Sequence, residues 1–133
     1  MASIFSKIVA GDIPCHKVAE NEDFLAFLDI NPLAIGHTLV IPKKETDYIF
    51  DIADDELGAM MVFSKKVATA LRIHVDCLRI GICVIGLEVP HAHIHLIPMN
   101  HVSDMNFARP KLQLSQAELK DLATKIKTTF DSE

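Results

Sequence analysis

The chain has 133 residues, of which 50% are hydrophobic and 23% charged, and its formal net charge is −5. A chain of this length usually folds as one domain and buries roughly two thirds of the surface that its unfolded form exposes. Five glycines and six prolines are too few for a low-complexity or disordered chain. Because the negative balance leaves no basic surface for a polyanionic backbone, we expect no DNA or RNA partner.

The cysteines and the N-terminal residues bear on the compartment. Cys15, Cys77 and Cys83 are odd in number and form no C-x-x-C pair, which predicts neither a disulfide framework nor a cysteine zinc site. The first residues lack the apolar core of a signal peptide, and the longest apolar run, residues 80–87, is too short to span a membrane. We therefore expect a cytoplasmic protein with reduced thiols and no membrane partner.

The first half of the chain predicts a short helix followed by a meander of strands. The apolar spacing of residues 4–9 predicts a helix with one buried side, which Gly11 and Pro14 can terminate. Short β-branched or aromatic runs, separated by turn residues, then predict three antiparallel strands: Lys17 to Glu20, Phe24 to Asp29 and His37 to Pro42.

The second half predicts two longer helices that flank two more strands. Residues 54–73 show the 3, 4, 7 spacing of an amphipathic helix, with three acidic residues in its first turn. Ser115 and Glu118 form an S-x-x-E capping box for a C-terminal helix over residues 115–130. The whole pattern predicts an α+β fold, with a five-stranded antiparallel sheet and packed helices in one domain over residues 1–133. The two further predicted strands are Cys77 to Ile85 and His91 to Pro98.

The segment PHAHIHLIP carries three histidines that alternate with apolar residues: His91, His93 and His95. Since residues two apart on a strand point to the same face, three imidazoles would stand in a row about 6 to 7 Å apart. The intervening residues would then face the core: Ala92, Ile94 and Leu96. Burying three rings that titrate near neutral pH is costly without a role.

Three kinds of site are compatible with this row. Three neutral histidines can hold zinc, although a straight row is too long for one ion and usually needs a ligand from elsewhere. The row could also be a purely structural polar face. In the third interpretation, one imidazole attacks phosphorus while its neighbours hold oxygens.

The same segment resembles the signature of the histidine triad superfamily, His-φ-His-φ-His-φ-φ, where φ is apolar. Earlier segments are similar to those of its histidine triad nucleotide-binding branch: residues 4–8, 27–29 and 36–43. The resemblance covers roughly residues 3–101. It implies an enzyme that hydrolyses nucleoside phosphoramidates or related phosphoanhydrides at the α-phosphorus. It also implies a homodimer with joined sheets.

The resemblance assigns roles to individual polar residues. His93 matches the family nucleophile, which carries the nucleotidyl group until water releases a nucleoside monophosphate. His91 and His95 match its flanking partners, and His37 matches a further histidine close to the phosphate. Asp29 matches the carboxylate that binds the ribose, since one carboxylate can accept hydrogen bonds from both hydroxyls.

The resemblance also places apolar and loop residues around a purine nucleotide. The matched base pocket consists of Ile4, Phe5, Ile8, Phe27 and Ile30. Spacing alone favours a different interpretation, in which these five are core residues, Asp29 is a turn residue and His37 lies at a strand start. The expected contacts to the phosphate region come from Gly86, Glu88 and Val89. The mechanism needs no metal or cofactor, because protonated imidazoles and backbone amides can stabilise the charge on phosphorus.

Two departures from the family pattern leave the leaving group open. Gly86-Leu87-Glu88 stands where Gly-Gln-Ser or Gly-Gln-Thr is common, so a hydroxyl donor is missing, and Ile80 replaces a usual Asn or Gln. The alternatives are therefore a dinucleoside polyphosphate hydrolase and a catalytically weak purine nucleotide-binding module. We expect the Glu88 side chain to turn outward, since a carboxylate facing a phosphate is repelled.

Overall fold

The computed structural model describes residues 2–133. The order of its elements is α1 (Ile4–Val9), β1 (Lys17–Glu20), β2 (Phe24–Leu28), β3 (Thr38–Pro42), α2 (Asp54–His74), β4 (Arg79–Cys83), β5 (Ile94–Met99) and α3 (Gln116–Asp131). Two short 3₁₀ helices lie at Ile49–Asp51 and Val102–Met105. Among residues 2–133, no helix combines the length and the hydropathy that a membrane span requires.

The five strands form one antiparallel sheet in the order β1-β2-β3-β5-β4. The predicted α+β class with a five-stranded antiparallel sheet is therefore confirmed. In the register of β3 and β5, Leu39 lies opposite His95 and Val40 lies opposite Ile94. Because His37 lies two residues before Leu39, this pairing brings His37 to the same end of the sheet as His95.

Both faces of the central strands are covered. Every residue of β2 and β3 is buried, and alternate side chains enter two different clusters. The larger cluster joins the sheet to α2 and α3 and includes Met60, Leu71 and Ile126. The smaller cluster lies on the other face, beneath α1, and consists of Phe5, Leu25, Phe27, Leu39 and Ile41. Alternation between two buried faces explains why these strands read as continuous apolar runs in the sequence.

The C-terminal helix begins with the capping box that the sequence contains. The hydroxyl of Ser115 accepts the Glu118 N–H at 3.1 Å, and the Glu118 carboxylate accepts the Ser115 N–H at 3.3 Å. With Ser115 as the N-cap, the helix itself runs from Gln116 to Asp131.

Several predicted strand boundaries were wrong. The sheet pairing of β4 covers only Arg79–Cys83, instead of Cys77 to Ile85, while β2 and β3 each lack one predicted terminal residue. The largest error is at β5, which starts at Ile94 rather than His91. Before that point the chain leaves the sheet, since the Ala92 N–H donates to Thr46 O at 2.7 Å in the loop after β3. His91 therefore lies ahead of the strand, and the three histidines do not form one straight row.

Candidate active site

The three histidines of the triad are almost completely buried. Their exposed fractions are 0% for His91, 7% for His93 and 7% for His95. The alternating residues enter the larger cluster as predicted: Ala92, Ile94 and Leu96. The ring centroids of His93 and His95 are 4.9 Å apart, closer than the predicted row, and the rings meet edge to face.

Main-chain carbonyls determine the tautomers of the first two histidines. His93 Nδ1 lies 2.8 Å from His91 O, and because a carbonyl can only accept, Nδ1 carries the proton. The neutral His93 ring therefore keeps its lone pair on Nε2. His91 Nε2 likewise donates to Pro42 O at 2.8 Å, so its Nδ1 accepts from the Ser3 hydroxyl at 2.8 Å. Both nitrogens of His91 are engaged within the protein, and burial lowers the pKa of this ring.

A second chain of hydrogen bonds determines the tautomer of His95. The Leu33 N–H donates to His37 Nδ1 at 3.0 Å, so the proton of the neutral His37 ring lies on Nε2. That nitrogen lies 3.0 Å from His95 Nδ1, which therefore accepts, and His95 carries its proton on Nε2. Burial lowers the pKa of His37 to about 3 and that of His95 to about 4, so both rings are neutral at pH 7. The two adjacent rings thus differ in tautomer: the neutral His93 ring has its lone pair on Nε2, whereas the neutral His95 ring has its proton on Nε2.

Asp29 lies beside this histidine pair. Its Oδ1 accepts the Asn31 N–H at 2.8 Å, and its Oδ2 lies 3.7 Å from His37 Nε2. Desolvation by burial raises the pKa of the carboxyl, an effect that the Asn31 N–H opposes. The side chain is 21% exposed, and Oδ2 does not take part in the hydrogen bond that stabilises the turn. The turn interpretation of Asp29 and the ligand interpretation are therefore compatible.

Within residues 2–133, one group of possible metal ligands has its donor atoms within 4.8 Å of one another: Asp29, His37 and His95. A metal ion on His37 Nε2 would need the lone pair of that nitrogen. The proton would then move to Nδ1 and oppose the Leu33 N–H, which already donates there. The hydrogen bonds of this group therefore fit a proton better than a metal ion.

Apolar side chains from α1 and β2 pack against the triad. The ring of Phe5 meets His93 edge to face at a centroid distance of 5.0 Å, and it also contacts Phe27 at 5.7 Å. Ile8 and Val89 are half-buried against the same cluster. Two other expected members of the base pocket lie outside the packed group, since Ile4 is 50% and Ile30 is 61% exposed. The prediction that Ile4 is buried was wrong, because α1 turns only part of its apolar side onto the sheet.

The loop before the triad is open. Gly86 has φ of 75°, and a Cβ at this position would meet no atom within 4 Å. The positive φ therefore explains why a glycine stands here, since a side chain at this position would not clash with any neighbouring atom. Glu88 is exposed, as is Leu87 at 88%.

Two sets of neighbours of the triad were not predicted from the sequence. The ring of Phe107 lies 4.9 Å from that of His95 and 6.1 Å from that of His37. Lys111 Nζ donates to Phe107 O at 2.6 Å and holds the irregular loop that carries this ring. The second set is Ser3, Ser6 and Glu45: both serines donate to Glu45, and the Ser3 hydroxyl lies 2.8 Å from His91 Nδ1. Neither set forms a sequence motif, because its members come from segments that are distant in sequence and meet only in the fold.

Similar proteins and solved structures cover nearly the whole chain. A protein of Schizosaccharomyces pombe named adenosine 5'-monophosphoramidase is 37% identical over 128 residues, covering 95% of this chain and 96% of its own length. The crystal structure of a HIT-like protein involved in cell-cycle regulation from Bartonella henselae superposes with a TM-score of 0.82 and 30% identity, covering 96% of this chain and 95% of that chain.

A second solved structure, a zinc-bound histidine triad family protein from Mycobacterium smegmatis, superposes with a TM-score of 0.80 and 26% identity. It covers 99% of this chain and 95% of that chain. Residues 10–102 match the family described as the HIT domain. Together with the buried triad in its five-stranded sheet, this match shows that the chain belongs to the HIT domain family.

Proposed function

We propose that this protein hydrolyses nucleotides at the α-phosphorus and that its substrates are nucleoside phosphoramidates or related phosphoanhydrides. The observation that carries the proposal is the pair of adjacent rings in which His93 Nε2 holds a lone pair and His95 Nε2 holds a proton. A nucleophile beside a hydrogen-bond donor is the arrangement that displacement at phosphorus requires. The name of the Schizosaccharomyces pombe relative, adenosine 5'-monophosphoramidase, supports the reaction class.

In the first step, the lone pair of His93 Nε2 forms a bond to the α-phosphorus, and the bond from phosphorus to the leaving group breaks. A leaving nitrogen takes a proton from solvent as this bond breaks and departs as the neutral amine. His93 Nδ1 keeps its proton because it donates to His91 O, so the nucleotidyl ring carries a positive charge. In the second step, water attacks phosphorus and the bond to Nε2 breaks. The products are a nucleoside monophosphate and the original neutral ring, and one proton of the attacking water returns to solvent.

The other polar groups bind and orient the substrate. The Nε2–H of His95 donates to a phosphate oxygen, and His37 keeps that proton in place by donating to His95 Nδ1. We assign Asp29 Oδ2 to the ribose hydroxyls, since the other oxygen of this partly exposed carboxylate accepts the Asn31 N–H. The purine ring would lie against Phe5 and Phe27, with Ile4 and Ile30 at the open side of the pocket.

We further propose a homodimer whose two sheets join at β4. This strand is an edge of the sheet, and an unpaired edge with apolar side chains favours pairing with another strand. Exposed apolar side chains lie on the strand, on the loop after it and on the neighbouring face of α2, namely Ile82, Val84, Ile85 and Met61. The free cysteines, Cys15, Cys77 and Cys83, support our proposal of a reducing compartment such as the cytoplasm.

The experiment that tests the function is incubation with adenosine phosphoramidate and with a diadenosine polyphosphate, side by side, with chromatographic analysis of the products. We expect AMP and ammonia from the first substrate at the higher kcat/KM. Preferential cleavage of the second substrate would assign a dinucleoside polyphosphate hydrolase instead. Binding of AMP without turnover of either compound would assign a nucleotide-binding module.

A further inference from the structure

A cluster of hydrogen bonds joins α1 to the first histidine of the triad and ends at a single carboxylate. The Ser3 N–H donates to Glu45 Oε1 at 2.6 Å, and the Ser6 hydroxyl donates to the same oxygen at 2.7 Å. The Ser3 hydroxyl lies 2.8 Å from His91 Nδ1. Glu45 follows β3, whereas the serines belong to the start of α1, so the cluster connects segments about 40 residues apart in sequence.

The tautomer of His91 determines which groups donate and which accept in this cluster. Since His91 Nε2 donates to Pro42 O, its Nδ1 must accept, and the Ser3 hydroxyl must donate to it. The Ser3 oxygen in turn accepts the Ser6 N–H at 3.0 Å. Glu45 accepts from both serines, and these hydrogen bonds lower the pKa of its carboxyl to about 2. The carboxylate is therefore ionised at pH 7 and accepts every hydrogen bond that it forms. The Ser6 hydroxyl also lies 3.4 Å from His91 Nδ1, a longer contact than its 2.7 Å hydrogen bond to Glu45.

The cluster reaches the reacting ring by two routes. The first runs through His91, whose carbonyl oxygen accepts the Nδ1 proton of His93. The second runs through α1, because Phe5 lies between Ser3 and Ser6 in sequence and packs against His93 at a centroid distance of 5.0 Å. A shift of α1 would therefore disturb both the tautomer of His93 and the apolar wall beside it.

From this geometry we propose that Glu45 is a positioning residue for His93, which it holds through Ser3, Ser6 and His91 in the tautomer that attacks phosphorus. The carboxylate is exposed and does not contact the triad directly. Its effect is to fix α1 and the His91 ring, so that the His91 carbonyl stays aligned with His93 Nδ1. This inference rests on the proposed function, since the preferred tautomer matters only if His93 Nε2 attacks.

The test compares Glu45→Ala with Glu45→Gln. A glutamine can accept the same two hydrogen bonds through its Oε1 while its NH₂ group lies in solvent, so the cluster survives without the charge. Glu22→Ala is the matched control, because Glu22 is an exposed glutamate in the turn between β1 and β2. For each protein, ¹⁵N NMR of the histidine rings reports the tautomer of His93, and kinetics with adenosine phosphoramidate give kcat and KM separately.

We expect Glu45→Ala to show a mixture of both His93 tautomers and a kcat lower by about tenfold, the size typical of losing a supporting hydrogen bond. Glu45→Gln and Glu22→Ala should keep the Nδ1–H tautomer and stay within about twofold of the parent kcat. A folded Glu45→Ala variant with one tautomer and the parent kcat would overturn the inference.

Two other outcomes, a variant that does not fold and a parent protein without activity, can be distinguished from a failure of the inference. If Glu45→Ala fails to fold, Ser6→Ala, which removes only one of the two donors to the carboxylate, takes its place with the same readouts and the same expected direction. A parent protein without turnover would count against the proposed function, and the NMR comparison would then test the positioning role alone.

Discussion

The Nδ1 atom of His93 lies 2.8 Å from the main-chain oxygen of His91, two residues earlier in the chain. The main chain of the first histidine therefore sets the tautomer of the second, while the side chain of the first histidine is engaged with Ser3 and Pro42. Because both ring nitrogens of His91 form hydrogen bonds within the protein, neither is available to a substrate. We accordingly treat His91 and His37 as positioning residues and His93 and His95 as the groups that meet the substrate.

Replacement of His93 separates chemistry from binding. His93→Ala removes the nucleophile but leaves Asp29 and the apolar pocket, so we expect kcat to fall by about a thousandfold or more while AMP still binds. Titration calorimetry and steady-state kinetics on the same preparation measure both quantities. His16→Ala is the control, because His16 bonds to Gln116 and not to the triad. Retention of more than about a tenth of the parent rate in His93→Ala would exclude His93 as the nucleophile.

The buried histidine pair makes stability depend on pH. The folded-state pKa values of His37 and His95, about 3 and about 4, lie below the unfolded value near 6.5. Between about pH 6.5 and pH 4 the unfolded state binds more protons, so the free energy of unfolding decreases as the pH falls through this range. The loss should be on the order of a few kcal/mol for the two coupled rings.

Urea unfolding of the parent and of His37→Asn at several pH values measures this effect. The asparagine Oδ1 can still accept the Leu33 N–H but does not titrate, so the variant should lose less stability between pH 6.5 and 4. Identical slopes for the two proteins would show that His37 does not contribute to the pH dependence.

Chelators should leave turnover intact. The only group of close metal donors within residues 2–133 includes His37, whose Nδ1 accepts the Leu33 N–H and whose Nε2 therefore carries a proton. We expect no stoichiometric metal in elemental analysis of the purified protein and no change in rate after dialysis against EDTA. Loss of activity in EDTA that added zinc restores would favour a metalloenzyme.

The exposed edge at β4 should lie in a dimer interface. Light scattering at micromolar concentration should give twice the monomer mass of 14.8 kDa. Ile82 is 47% exposed on this strand, and Ile82→Lys places a charge in the proposed interface, so it should shift the equilibrium toward the monomer. A monomer mass for the parent protein would contradict the joined sheets.

The spacing of apolar residues predicted those parts of the fold in which neighbouring residues of one segment alternate between its two faces. The alternation of His93 and His95 with Ile94 and Leu96 follows from the two-residue period of a strand, and both apolar residues do enter the core. The position of His91 was mispredicted because it depends on a contact outside the segment. The adjacent Ala92 N–H donates to Thr46 O, and a sequence pattern carries no information on such a distant acceptor.

The chemistry of the site depends still more on tertiary contacts. The tautomers follow from main-chain groups of Leu33, Pro42 and His91, and a backbone N–H or carbonyl is present at these positions whatever the side chain. The ring of Phe107 reaches His95 from an irregular loop that has no periodic signal. A resemblance in sequence can thus suggest which residues meet, while the protonation of each nitrogen requires the fold.

The central claim is that the nucleotidyl group passes through a covalent bond to His93. Its most direct test is the stereochemical course of hydrolysis, measured with a P-chiral phosphorothioate analogue of the substrate in ¹⁸O-labelled water. Each in-line displacement inverts phosphorus, so attack by His93 Nε2 followed by attack of water predicts overall retention of configuration. Overall inversion would mean that water attacks the substrate directly and would contradict the covalent mechanism.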